Sequence, residues 1–213
     1  MDITQTIALT MGVAWASGIN LYAAILMLGY MGTTGNIDLP PGLQVLTDPM
    51  VMLAAGFMYC VEFFADKIPG VDTGWDAIST FIRIPAGAIL AAGAVGDVST
   101  AAHLAAAIAG GTLAAGSHIT KAGTRVLINT SPEPVTNWFA SIGEDVAVIA
   151  GLWTALYHPT LFIALLVVFI LLMIWLLPKL WRGIKSVFGF IGRLLGGGKS
   201  EQSADKITTE TKP

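Results

Sequence analysis

Two patches of small and polar residues break runs that are otherwise apolar. Ala16-Ser17-Gly18-Ile19-Asn20-Leu21-Tyr22 lies inside a run from about Gln5 to Met31, and Gly116-Ser117-His118-Ile119-Thr120-Lys121 interrupts a second run one hundred positions later. Ser17, Gly18 and Asn20, with Ser117, His118 and Thr120, offer hydroxyls, an amide, an imidazole and freed backbone groups. In a membrane, interrupted helices in matching positions of two halves point to a binding site, and a broken helix can aim its N-terminal dipole at an anion. Small residues also let helices approach closely, which is the plainer reading of the glycines, Gly110-Gly111 included. Asn20 and His118 carry more weight, because an amide or imidazole buried without partners is expensive. A lone histidine does not make a metal site, and neither metal nor cofactor is expected.

A second group of residues is charged. Glu62, Arg83, Glu144 and Asp145 fall within apolar runs, where an ionisable side chain is costly and usually faces a protein interior or a water cavity. Counted inward from the proposed cytoplasmic ends at about 1.5 Å per residue, they lie roughly 7 to 13 Å deep. Asp66, His118 and Lys121 sit close to the same layer. Arg83 and Lys121 are expected to attract an anionic group, while Glu62, Asp66, Glu144 and Asp145 would couple protons or ions. A buried salt-bridge network that only fixes helix packing is the plainer alternative for any one of them.

These side chains need a scaffold of membrane helices. The chain has 213 residues, 54% apolar and 12% charged, with mean hydropathy +0.73. A soluble domain carries about 25% charged residues, so lipid is the solvent. An all-α integral membrane protein is expected, with six spans near 5–31, 48–66, 75–96, 100–121, 137–157 and 160–178, given about 20 residues per crossing. Asp48-Pro49 reads as cap and first turn of the second span, and Ser131-Pro132-Glu133-Pro134 serves the fifth. The single cysteine, Cys60, excludes an intrachain disulfide.

With the N-terminus cytoplasmic, all eleven Lys and Arg fall on the inner side or in the tail, as the positive-inside rule requires of a chain with both termini inside. Three spans per half would make the halves, about 3–97 and 100–178, inverted repeats with interrupted first helices. Together 1–178 would form the transmembrane domain. Over 179–195, Leu180, Trp181, Ile184, Val187, Phe188, Ile191, Leu194 and Leu195 share one helical face, and Lys179, Arg182, Lys185 and Arg193 take the other. That pattern fits a basic amphipathic helix on an anionic leaflet or a plain continuation of the sixth helix. The polar stretch 196–213 is expected to be disordered.

The run Ala65-Asp66-Lys67-Ile68-Pro69-Gly70, the following Trp75-Asp76-Ala77 and Phe81-Ile82-Arg83-Ile84-Pro85-Ala86-Gly87-Ala88 resemble the membrane family called domain of unknown function 4126 (DUF4126). Ser131 to Trp138 and Glu144-Asp145 add to the likeness, which covers approximately residues 5 to 175. The resemblance implies a multi-span protein of the bacterial inner membrane and brings no activity with it. HExxH, GxSxG and P-loop signatures are missing from the sequence, so an enzyme is less expected than transport. The leading expectation is a small secondary transporter or channel-like carrier; lipid headgroup translocation and a non-catalytic scaffold are the alternatives. Expected partners are the bilayer, a small solute or ion, and a homo-oligomer as an open option; nucleic acid is not expected.

Overall fold

The computed structural model describes residues 1–68, 70–130 and 134–196. The Ser131-Pro132-Glu133 segment and the tail 197–213 lie outside the described residues, as do the side chains expected at Val187, Phe188, Ile191, Arg193, Leu194 and Leu195. Among the described residues the elements are all helical: α1 (Ile3–Thr33), a 3₁₀ segment (Pro41–Thr47), α2 (Pro49–Ala65), α3 (Val71–Ala94), α4 (Thr100–Ile128), α5 (Pro134–Tyr157) and α6 (Pro159–Gly196). Their starts follow local chemistry. Asp2 and Gln5 close a capping box on α1, Asp48 accepts from the Met50 amide ahead of α2, and Ser99 caps α4. Each satisfies amides that a helix start leaves without partners.

α1 is long and apolar enough to cross a membrane, as are α3, α5 and α6, and the 3₁₀ segment with α2, bent by 69°, makes a fifth candidate. The packing assigns α1 a different path. A straight helix of 31 residues would hold its ends about 45 Å apart. Yet Met1, Gln5 and Leu9 line one cavity with Asn36, Ile37 and Leu39, while Gly32 packs on Leu39 and Gly29 on the Leu46 carbonyl. Both ends of α1 therefore lie at the same end of the bundle. The reversal occurs at Asn20, whose backbone leaves helical geometry at φ −146°, ψ 96°. α1 is a helical hairpin with arms 3–19 and 21–33.

α4 is less apolar than a typical span, but it runs antiparallel to α3 along its whole length. Ala92 meets His103, Gly87 meets Ala114, Thr80 meets His118 and Asp72 meets Asn129. If α3 crosses, so does α4. The crossing helices are then α2 to α6, five rather than the six expected, because the first apolar run doubles back. Met1 groups with Asp38, Pro40 and Asp97, whereas α6 leaves past Gly123 and Leu127 of α4, so the two lie at opposite ends of the bundle. The matched patches also differ in form, since α4 passes through Gly116 to Lys121 without a break.

The core is built from small residues. Gly18, Gly87 and Gly110 lie so close to Ser117, Ala114 and Ala91 that an added Cβ would overlap them, the close approach that helix pairs use in lipid. A larger cluster joins both arms of the hairpin: Leu9, Val13 and Leu28 pack with Leu43, Leu90, Val148 and Leu152. α6 runs as one helix from Pro159 to Gly196, and Leu180 and Gly183 pack on Gly123 and Leu127 of α4.

Candidate functional site

The two patches are partners in space. At the tip of the hairpin, the first arm ends with carbonyls that no longer have helical amides to accept from, and a helix C-terminus carries partial negative charge. Cations meet it. Arg83 Nη1 donates to the Ile19 carbonyl at 2.8 Å and to the Gly18 carbonyl at 3.4 Å, and Lys121 Nζ donates to Ile19 at 3.2 Å. Ser117 Oγ donates to the Trp15 carbonyl at 3.0 Å, and His118 Nδ1 lies 3.3 Å from the Gly18 carbonyl. Asn20 restarts the helix: its Oδ1 accepts the Ala23 amide at 3.0 Å, an N-cap bond, while its Nδ2 donates to Asp145 Oδ1 at 2.8 Å.

Behind the tip lies a buried network of ion pairs. Arg83 Nη2 pairs with Glu62 Oε1. Lys121 Nζ has Glu62 Oε1 at 3.2 Å, Asp66 Oδ2 at 3.1 Å and Glu144 Oε2 at 3.2 Å. Arg125 holds Glu144 through two bonds, 3.0 and 2.8 Å long, and its Nη1 donates to the carbonyls of Asp66 and Asn137. Asp145 also accepts from the Tyr59 hydroxyl at 2.9 Å. Arg83, Glu62 and Arg125 are fully buried, whereas Glu144 keeps 19% of its side chain exposed and Asp145 is half-buried. The Tyr59–Asp145 bond joins α2 to α5.

Of the residues singled out in the sequence, Gly18, Asn20, Ser117, His118, Arg83, Lys121, Glu62, Asp66, Glu144 and Asp145 converge here. Ser17 and Thr120 do not take part through their hydroxyls, which bond back to Val13 and Gly116 in their own helices. α3 begins at Val71 and places Arg83 twelve residues, about 18 Å, from its start.

Four participants were not singled out: Asp76, Arg125, Tyr59 and Thr80. A signal for Asp76 existed. Asp72, Asp76, Ser79, Arg83 and Gly87 recur at the three- and four-residue steps of one helix face, and all are buried.

A polar seal closes the end of the bundle nearer Lys67. Asn129 Nδ2 donates to Asp72 at 2.7 Å and to Thr73 Oγ1 at 2.9 Å, and Asn137 donates to Asn129 at 2.7 Å. Lys67 sits 2.9 Å over the Phe63 ring and bonds the Phe63 carbonyl; burial holds its ammonium below the usual lysine range. Among the described residues, no cluster of His, Cys, Asp and Glu could hold a metal ion.

Fold and site together define a class: a multi-pass helical membrane protein with a re-entrant hairpin whose tip rests on a buried network of charges. Within that class the chain belongs to the family described as domain of unknown function (DUF4126), whose model matches residues 7–179. Neither a curated protein nor a solved structure matches it.

Proposed function

We propose that the protein is a small carrier or channel-like transporter of the cytoplasmic membrane, with its site at the hairpin tip. One observation carries this reading: an irregular turn of backbone, deep in the bundle, rests against ionisable side chains that are almost wholly buried. Irregular backbone is tolerated at membrane depth only inside protein or along a cavity, and intramembrane charges usually mark an ion or substrate path. Broken helices place such sites near the midplane in known transporter folds.

The charge balance of the site favours a cargo other than an anion. Arg83, Lys121 and Arg125 are already engaged by four carboxylates, Glu62, Asp66, Asp76 and Glu144. One negative charge is left over, and Asp145 adds to it. A cationic solute, or a solute moved together with a proton, suits this balance better. The end bearing Lys67 and Arg125 would face the cytoplasm by the positive-inside rule, with Met1 and the acidic Asp38, Asp48 and Asp97 outside.

Solute uptake into proteoliposomes tests the reading, guided by a thermal-shift panel of small cations, anions and metabolites. Uptake that Asn20→Ala and Arg83→Gln both abolish is the expected result. Uptake unchanged by both variants would remove the site. Lipid headgroup movement is the second reading, favoured by a cavity of about 280 Å³ between α3, α4 and α6 with Asp76 and His118 on one wall and Leu177, Leu180 and Trp181 on the other. A fluorescent-lipid translocation assay separates the two.

A further inference from the structure

We infer that Asp76 is the proton-carrying carboxyl of this site, an assignment that rests on the carrier reading for its purpose but not for its chemistry. Asp76 is 1% exposed. Neither of its carboxylate oxygens has a hydrogen-bond partner, and Ser79 Oγ, one turn along the same helix face and 2% exposed, has none either. The nearest cations, Arg83 Nη1 at 3.7 Å and Lys121 Nζ at 3.8 Å, are beyond hydrogen-bonding distance. Each already serves closer acceptors: Lys121 has Ile19, Glu62, Asp66 and Glu144 within 3.2 Å, which exceeds the three protons of an ammonium.

Polar and titratable groups come toward Asp76 from α1 to α5. α1 brings the Gly18 and Ile19 carbonyls and the Tyr22 hydroxyl; α2 and its C-cap bring Glu62 and Asp66. α3 itself adds Asp72 and Arg83, α4 brings His118, Lys121 and Arg125, and α5 brings Glu144 and Asp145. The described α6 side chains lining the adjoining cavity, Leu177, Leu180, Trp181 and Ile184, carry no charge. Three cations thus face four network acids, and Asp76 is the acid without a hydrogen bond.

A buried carboxylate that no donor hydrogen-bonds, with cations only at 3.7 and 3.8 Å, is costlier to bury than a neutral carboxyl, so such a group takes up a proton. One water-derived proton adds to one carboxylate oxygen, giving a neutral carboxyl able to donate. Its path to solvent is the cavity between α3, α4 and α6, which both Asp76 and His118 line. A metal ion is a poorer occupant, given the missing ligand cluster among the described residues.

The test is infrared difference spectroscopy of the full-length protein in vesicles through a pH titration, with and without ¹³C-aspartate labelling. A protonated-carboxyl band that shifts with the aspartate label, disappears in Asp76→Asn and persists when sodium replaces choline is the expected result. No such aspartate band in the wild-type protein overturns the assignment even if the variant fails to fold. A band that survives Asp76→Asn, or that sodium removes, overturns it as well. If the band is present while no solute moves in proteoliposomes, the carrier reading fails and the proton site stands.

Discussion

The Asn20 side-chain amide donates to the Asp145 carboxylate at 2.8 Å, joining the turn of the hairpin to a helix 125 residues away in sequence. The same side chain caps the second arm through Ala23. A lost cap costs about 1 kcal/mol, and a lost bond to a charged group about 1.5–3 kcal/mol. Asn20→Ser, which keeps a capping oxygen, should therefore be milder than Asn20→Ala. Asn20→Asp should be worst, because it faces Asp145 with like charge. Unfolding of the purified variants in mixed micelles gives the order; equal stability of all three would remove Asn20 from this role.

Glu62 and Arg83 form a fully buried pair. Removing one partner leaves an uncompensated charge, worth about 3–5 kcal/mol, so Glu62→Gln and Arg83→Met should each destabilise strongly. The double variant should cost clearly less than the two added together. Additivity within about 0.5 kcal/mol would show the two side chains to be uncoupled.

Glycines separate into two kinds. A Cβ at Gly18 would overlap Ser117 and the Ala114 backbone, while at Gly143 it meets nothing within 4 Å. Gly18→Ala is expected to destabilise by about 1–3 kcal/mol through overpacking. Gly143→Ala should gain roughly 0.5–1 kcal/mol, because alanine loses less entropy than glycine in a helix. Thermal unfolding of the pair checks both signs, and a harmless Gly18→Ala would contradict the close contact between α1 and α4.

The hairpin has a topological signature. In a Cys60→Ser background, Ile3→Cys, Asn36→Cys and Asp97→Cys should react with a membrane-impermeant thiol reagent from one side, and Thr130→Cys from the other. Ile3→Cys labelling together with Thr130→Cys would instead require α1 to cross.

Much of this arrangement was visible in the sequence. Helix starts at Asp48-Pro49 were legible because a cap and a proline act within one turn, and the interruption at Asn20 because polar atoms stand out in an apolar run. The direction taken after Asn20 was not legible. A run with no internal charge has the same hydropathy whether it crosses or returns, and the return depends on Arg83, Lys121 and Asp145, contacts remote in sequence. The pairing of acids with bases was similarly hidden: Arg125 read as a cytoplasmic end residue because α4 had been expected to stop near Lys121, whereas it continues to Ile128.

That remoteness sets an order of assembly. The hairpin precedes in the chain the groups that hold its tip, which belong to α3, α4 and α5 and emerge from the ribosome after it. Until Asp145 is in place, Asn20 lacks that anchor. The turn is thus fixed only by helices made after it.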